Sequence, residues 1–358
     1  MKNEKFFSTS LLFWHRNENS REMPWKGEKD PYRIWISEII LQQTRVQQGL
    51  AYYNRFIDEF PDVKALATAS EQKVYKLWEG LGYYSRCKNL IRTAKYIHEE
   101  LGGHFPEKYE DILALKGIGN YTASAIASFA FNQPYAVLDG NVFRILSRFF
   151  GIEIPVNTSE GKKIYAALSQ TLLDKKNPAL YNQAIMDFGA VICKPSLPEC
   201  LQCPLQKKCF AFLKNKVSVL PVNNAVNKQK KRFFNYLVVE YDETFYINKR
   251  IEKDIWQNLY EFILIETNSL LNEKDLLKNG QFMSLLKGHN FKVKSFSEKT
   301  SQKLTHQLIT AIFIRIEIEK PIQTEKYFSA NLNQLKSLPF PKLIASYLAE
   351  KNVPLSSI

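Results

Sequence analysis

Near residue 213 the apolar pattern of the chain changes period, and no single layer architecture accommodates both halves. From residue 5 to about 213 the chain reads as helical, with apolar residues at helical spacing, as in Ile34, Trp35 and Ser37 to Leu41, and again from Leu172 to Ile192. Asp30-Pro31 is a good helix start, because aspartate caps free amides and proline is tolerated in the first turn. Further on, short β-rich runs take over: Phe233 to Tyr241, Phe245 to Lys249, Phe262 to Glu266 and Leu308 to Ile318. Helical stretches lie between and after them, including Pro341 to Glu350. The fold class is therefore multidomain, an all-α region followed by a C-terminal α+β domain. Between the two, residues 214–232 hold Lys214, Lys216, Lys228, Lys230, Lys231 and Arg232 and no acid, which reads as an exposed basic linker.

The 358 residues suit two or three domains, and 45% hydrophobic residues are enough for real cores. No apolar run approaches the roughly 20 residues that span a bilayer. The first residues carry no secretory pattern, so a cytoplasmic protein without a membrane partner is expected. The net charge of +13 points to a polyanion, nucleic acid first. Four of the five cysteines, Cys193, Cys200, Cys203 and Cys209, fall within seventeen residues. In a reducing compartment this reads as a metal site rather than a disulfide framework. Thiolates suit zinc and iron–sulfur alike, and spacing alone does not choose between them.

In Leu115-Lys116-Gly117-Ile118-Gly119-Asn120-Tyr121-Thr122-Ala123, Gly117 and Gly119 permit a tight turn that exposes N–H groups at a helix start. Such groups bind phosphate without reading sequence. A helix of small residues follows, and then Leu138-Asp139-Gly140-Asn141-Val142. Hairpin and aspartate at this separation resemble the helix-hairpin-helix DNA glycosylases of the endonuclease III superfamily. The cysteine spacing is similar to the [4Fe–4S] loop of that superfamily, which makes an iron–sulfur cluster the implied cofactor.

Cleaving a purine N-glycosidic bond requires a proton for the base and a negative charge for the sugar cation. Glu38 sits in an apolar helix, where desolvation favours its protonated form. Asp139 precedes a helix, whose N-terminus favours the ionised form. Environment alone thus makes Glu38 the acid and Asp139 the anion.

Two stretches, Trp35 to Val46 (Trp-Ile-Ser-Glu-Ile-Ile-Leu-Gln-Gln-Thr-Arg-Val) and Gly80 to Arg86 (Gly-Leu-Gly-Tyr-Tyr-Ser-Arg), closely resemble the MutY, or adenine DNA glycosylase, branch. The resemblance implies removal of adenine mispaired with 8-oxoguanine or guanine in duplex DNA. It implies a catalytic region over residues 1–213, with a six-helix barrel at about 29–135 and a cluster domain from 1–28 and 136–213. It also implies that Glu38 protonates adenine, Asp139 stabilises the sugar cation, and Tyr121 and Asn141 order the site. Trp25 and Gln183 line the adenine pocket, Gln43 wedges into the duplex and Tyr83 stacks beside the oxidised guanine. Members that cleave the strand through a Schiff base carry lysine where this chain has Tyr121, so a monofunctional enzyme is expected. Lys26 stands where the branch usually has arginine, and Phe143 where some members carry lysine.

Residues 233–358 resemble a Nudix fold around Ile255-Trp256-Gln257-Asn258-Leu259-Tyr260-Glu261-Phe262, without the Glu-rich hydrolase helix afterwards. The resemblance implies a Nudix-like reader of 8-oxoguanine through Thr305 and His306, with Leu304 in place of an aromatic. A monomer suffices for lesion search, clamp or mismatch-repair proteins are implied partners, and in a bacterium the enzyme would be nucleoid-associated. The alternatives are a mismatch thymine or uracil glycosylase and a catalytically silent lesion-binding protein.

Overall fold

The computed structural model describes residues 2–42, 44, 46–224 and 229–350. The chain forms two compact units, Met1–Ala69 with Lys88–Ala225, and Ser70–Cys87 with Val226–Ile358. The second unit thus takes in a stretch that the sequence pattern places with the first region. The reason is local: several of its polar groups bond to C-terminal residues. Lys76 Nζ donates to Leu338 O at 3.0 Å, the amide of Phe340 donates to Glu79 Oε2 at 3.1 Å, and Asn258 Nδ2 donates to the Tyr75 hydroxyl at 2.9 Å.

The first unit is helical, as its 3.6-residue period requires. Phe7, Leu11 and Trp14 follow one face of helix Lys2–Asn17 and are buried. They pack with Val142, Ile145, Leu146 and Phe149 of helix Gly140–Phe150 and with Tyr181, Ile185 and Phe188 of helix Pro178–Val191. Each such burial contributes about 1.5–3 kcal/mol. The anticipated helix start at Asp30-Pro31 is present: Asp30 Oδ1 accepts from the Tyr32 amide at 2.9 Å, opening helix Pro31–Leu41. The helical stretch read from Leu172 to Ile192 is interrupted. One helix, Ser159–Leu172, ends there, and Pro178, which cannot continue a helix, starts the next.

The expected linker is also shorter. Residues 214–224 are tied to the first unit: Arg148 Nε donates to Leu220 O at 3.0 Å, the Val156 amide to Val222 O at 3.1 Å, and the Asn224 amide to Asn157 Oδ1 at 3.0 Å. The β structure starts at Lys230 rather than Phe233. Lys228 lies outside the described residues.

In the second unit β1 (Lys230–Tyr241), β2 (Thr244–Lys249), β3 (Tyr260–Thr267), β4 (Phe291–Phe296), β5 (Thr300–Lys303), β6 (Gln307–Ile318) and β7 (Phe328–Asn331) form one mixed sheet. Its order is β4-β6-β1-β3-β2-β7, with β5 also on β6. The central pair β1–β6 is parallel, from Lys230 opposite Gln307 to Glu240 opposite Glu317. Leu237, Val239, Ile263, Ile265, Ile314 and Ile316 bury one face against short helices carrying Leu276 and Phe282.

Candidate active site

Helix Tyr109–Ala114, the turn from Leu115 and helix Asn120–Phe129 form the hairpin. Gly117 sits at φ +83°, and a Cβ there would lie 2.6 Å from Asn89 Cβ, so the position requires glycine twice over. At Gly119 a Cβ would meet nothing, which leaves open space before the first turn of the second helix. The next residue but one, Tyr121, points its hydroxyl back at Glu38 and donates to Oε2 at 2.6 Å.

Glu38 is 6% exposed on helix Pro31–Leu41. Burial pushes its pKa up to about 7; the Tyr121 hydrogen bond opposes this and the negative charge of Asp139 adds to it. Asp139 caps helix Gly140–Phe150 and accepts from the Val142 amide at 2.8 Å and from Asn141 Nδ2 at 2.9 Å. The anticipated downward pull of the helix start is there, but burial outweighs it, and the net shift of Asp139 is upward. What separates the two carboxyls is their donors. Asp139 accepts from the Val142 amide and from Asn141 and feels the Arg144 charge, whereas among the described residues Glu38 accepts only from the phenol. A proton shared by the pair therefore resides on Glu38.

Both carboxyls open into one cavity of about 1360 Å³, also lined by Trp25, Gly119, Tyr121, Asn141 and Gln183. The volume exceeds a usual small-molecule pocket of about 300–1,000 Å³, which suits an extruded nucleotide with adjoining backbone. Trp25 lies edge-on to Tyr53, with ring centroids 5.4 Å apart. Gln43 lies outside the described residues.

The four cysteines form no disulfide, and burial raises the thiols of Cys200, Cys203 and Cys209, Cys203 to about 12. Among the described residues no three His, Cys, Asp or Glu side chains converge tightly enough for a single metal ion. Four cysteine thiolates make a soft, all-sulfur donor set, which suits an iron–sulfur cluster as it does zinc.

In the second unit, Thr305 and His306 form the exposed turn between β5 and β6, closed by the Leu304 amide donating to Gln307 O at 2.8 Å. The Tyr83 hydroxyl lies 3.3 Å from Thr305 Oγ1, so two residues widely separated in sequence meet. Tyr83 has φ +49°, and the Arg86 guanidinium lies over its ring at 5.3 Å.

Sequence reasoning missed the groups that hold these side chains. Arg144 Nη2 donates to Asn141 Oδ1 at 2.7 Å and to Gly189 O at 2.8 Å, and its Nε donates to Cys193 O at 2.7 Å. Arg148, one turn on, donates to Lys194 O at 2.8 Å and to Pro195 O at 3.1 Å. One helix thus carries Asp139 at its start and grips the cysteine loop from its side. Buried Asn182 accepts from the Val137 amide at 3.1 Å and donates to Tyr135 O at 2.8 Å, fixing the extended segment before Asp139. No signal in a single sequence marks these residues, apart from two arginines one turn apart in a mostly apolar helix.

A Cβ on Gly189 would lie 2.5 Å from Asn141 Cβ and 3.2 Å from its Cα. Gly189→Ala is expected to push Asn141 off Asp139, cutting single-turnover excision at least about tenfold at a stability cost of about 1–3 kcal/mol. Excision kinetics beside a thermal melt check this; a variant that loses stability but keeps its rate would refute it.

Residues 36–170 match the family of HhH-GPD superfamily base excision DNA repair proteins. An adenine DNA glycosylase of Buchnera aphidicola subsp. Schizaphis graminum is 35% identical over 322 residues, 89% of this chain and 90% of that protein. That of Buchnera aphidicola subsp. Baizongia pistaciae is 32% identical and covers 94% of both. The Homo sapiens adenine DNA glycosylase is 41% identical over 57% of this chain and 39% of its own length. Among solved structures, a thermostable thymine-DNA glycosylase aligns with a TM-score of 0.55 at 29% identity, covering 60% of this chain and 98% of that one. An endonuclease III in a non-covalent DNA complex shares the fold, with a TM-score of 0.51 at 16% identity over 59% of this chain and 95% of that one.

Proposed function

The chain belongs to the adenine DNA glycosylase family, and from that premise we propose that it excises adenine from duplex DNA, opposite 8-oxoguanine or guanine, as a monofunctional base excision repair enzyme. The observation that carries the chemistry is the Tyr121–Glu38–Asp139 group in one cavity. The glycosidic bond breaks with protonation of the base, so an acid that still holds its proton near neutrality is needed. Glu38, raised to about 7, delivers that proton to N7 of the flipped adenine. As the bond stretches the sugar becomes cationic, and the Asp139 carboxylate faces it. Glu38, now anionic, accepts a proton from the attacking water. Tyr121 keeps Glu38 oriented, and its phenol forms no imine with the sugar, so strand cleavage does not follow. Asn141 orients Asp139, and Trp25 and Gln183 line the base pocket. Amides at the hairpin around Gly117 and Gly119 hold a backbone phosphate.

The second unit is a Nudix-like reader without hydrolase acids, in which Thr305, His306 and Tyr83 meet the oxidised guanine. The closeness of Tyr83 and Thr305 supports this. Cys193, Cys200, Cys203 and Cys209 hold a [4Fe–4S] cluster. When bound, the cluster would cross-link the loop whose carbonyls Arg144 and Arg148 grip from the helix that starts at Asp139. The protein acts in the cytoplasm, on the nucleoid in a bacterium. Cys203→Ser is expected to lose iron and visible absorbance, to melt at lower temperature, and to excise at least about tenfold more slowly. Normal excision by iron-free protein would contradict this bracing role.

Excision from A:8-oxoguanine, A:G, T:G and U:G duplexes, with a borohydride trap, tests the proposal. Adenine release without trapping is expected. Release of only thymine or uracil would instead indicate a mismatch pyrimidine glycosylase, and binding without any release a silent lesion binder.

A further inference from the structure

Behind the polar wall of the cavity lies a carboxylate that the mechanism above does not use. Asp187 is fully buried on helix Pro178–Val191. Its Oδ1 accepts from Arg21 Nη1 at 2.7 Å and from Gln183 Nε2 at 3.0 Å. Its Oδ2 accepts from Asn19 Nδ2 at 2.8 Å, and Lys26 Nζ lies 3.7 Å away. Asn19 also meets His15 Nδ1 at 2.9 Å, and Lys26 donates to Arg21 O at 2.9 Å. Three of these partners, Arg21, Lys26 and Gln183, line the cavity that holds Glu38 and Asp139. Asp187 itself does not.

An ionised carboxylate only accepts hydrogen bonds. Whatever amide it holds must therefore turn its NH₂ end inward. Gln183 does so, and its carbonyl oxygen is left with no protein partner among the described residues. On a half-buried side chain that lines the cavity, that oxygen is an acceptor offered to a bound base. Adenine carries a donor, its exocyclic amine, on the edge that a 6-unsubstituted purine lacks.

We propose that Asp187 is a positioning residue that locks the Gln183 amide with its carbonyl toward the cavity and thereby makes the site demand a base with an amino donor. This rests on the adenine-excision reading above and adds the group that enforces its selectivity. Asparagine at 187 can still accept from Arg21, but its own NH₂ no longer dictates which way Gln183 turns. The carbonyl is then lost to the base for part of the time.

The test compares single-turnover excision of adenine and of unsubstituted purine from otherwise identical duplexes. Comparing the ratio of the two rates between variant and wild type cancels their different leaving-group chemistry. Asp187→Asn is expected to lower the adenine-to-purine ratio about three- to tenfold, the range of one neutral hydrogen bond. Gln183→Leu, a change on the cavity wall, should lower it as much, and the double variant no further. An equal fall for both substrates in Asp187→Asn would mean a merely structural residue and overturns the proposal. So does an unchanged ratio in Gln183→Leu, which decides the matter even if Asp187→Asn fails to fold, and so does a multiplicative fall in the double variant. Absence of adenine release by the wild-type protein would sink the functional reading instead.

Discussion

Asp139→Asn is expected to lose adenine excision by about 10³-fold while keeping duplex binding within a few fold. The two side chains have the same size, and asparagine is as good a helix cap as aspartate. The bond from the Val142 amide at 2.8 Å can persist, so the helix start and the fold should survive. What disappears is the negative charge opposite the developing sugar cation. The new NH₂ also confronts Asn141 Nδ2, now 2.9 Å from an acceptor, and one of the two amides must turn. A second consequence follows from coupling. The Asp139 charge helps hold the Glu38 proton, so Glu38 in this variant should titrate below about 7. Single-turnover excision, duplex affinity and a carboxyl titration report these three effects separately. Unchanged excision would end the case for Asp139 as the stabilising anion.

Glu38→Gln carries the other large effect, and it has opposite signs in activity and stability. A glutamine oxygen can still accept from the Tyr121 hydroxyl, but the side chain has no proton to give to the base. Excision should fall by about 10²–10⁴-fold. Stability runs the other way because the folded protein raises the Glu38 pKa from 4.5 to about 7. Its favourable contribution is complete below the unfolded value, shrinks as pH rises from about 4.5, and is lost above about 7. On the order of 3 kcal/mol is at stake for so buried a group. The glutamine variant should therefore melt close to wild type at pH 4 and clearly above it at pH 8.5. The same titration sets an alkaline limit near pH 7 on wild-type excision. Equal melting of the two proteins at pH 8.5 would mean that Glu38 is not desolvated as described.

Much of this site was legible in the order of residues. Glu38 is flanked by Ile36, Ile39 and Ile40, and a carboxyl in so apolar a helix is a candidate for burial, which the fold realises. Asp139 precedes a glycine and an apolar helix, and it does cap that helix. The turn glycine at 117 was readable from the Gly-x-Gly spacing between two helical patterns; its dihedral and the neighbour at Asn89 were not. The direction of the Asp139 shift was not readable, since it balances a local helix effect against burial set by distant segments. Arg144, Asn182, Asp187 and Gly189 were missed for the same reason: each acts on a partner 45 or more residues away. Strand β5 escaped because its side chains are mostly exposed, so burial imposes little alternation on it. The joining of Ser70–Cys87 to the C-terminal unit depends on side-chain to backbone bonds that leave no periodic trace.

Asp139 already has each of its oxygens engaged, one by a backbone amide and one by Asn141, and the segment before it is stapled by Asn182. Around a carboxylate in water, dipoles must swing round each time a cation forms nearby. Here they are already set by the fold, ahead of any turnover. The solvent's share of the reorganisation is thus done in advance, and the rate of base loss is not burdened with it.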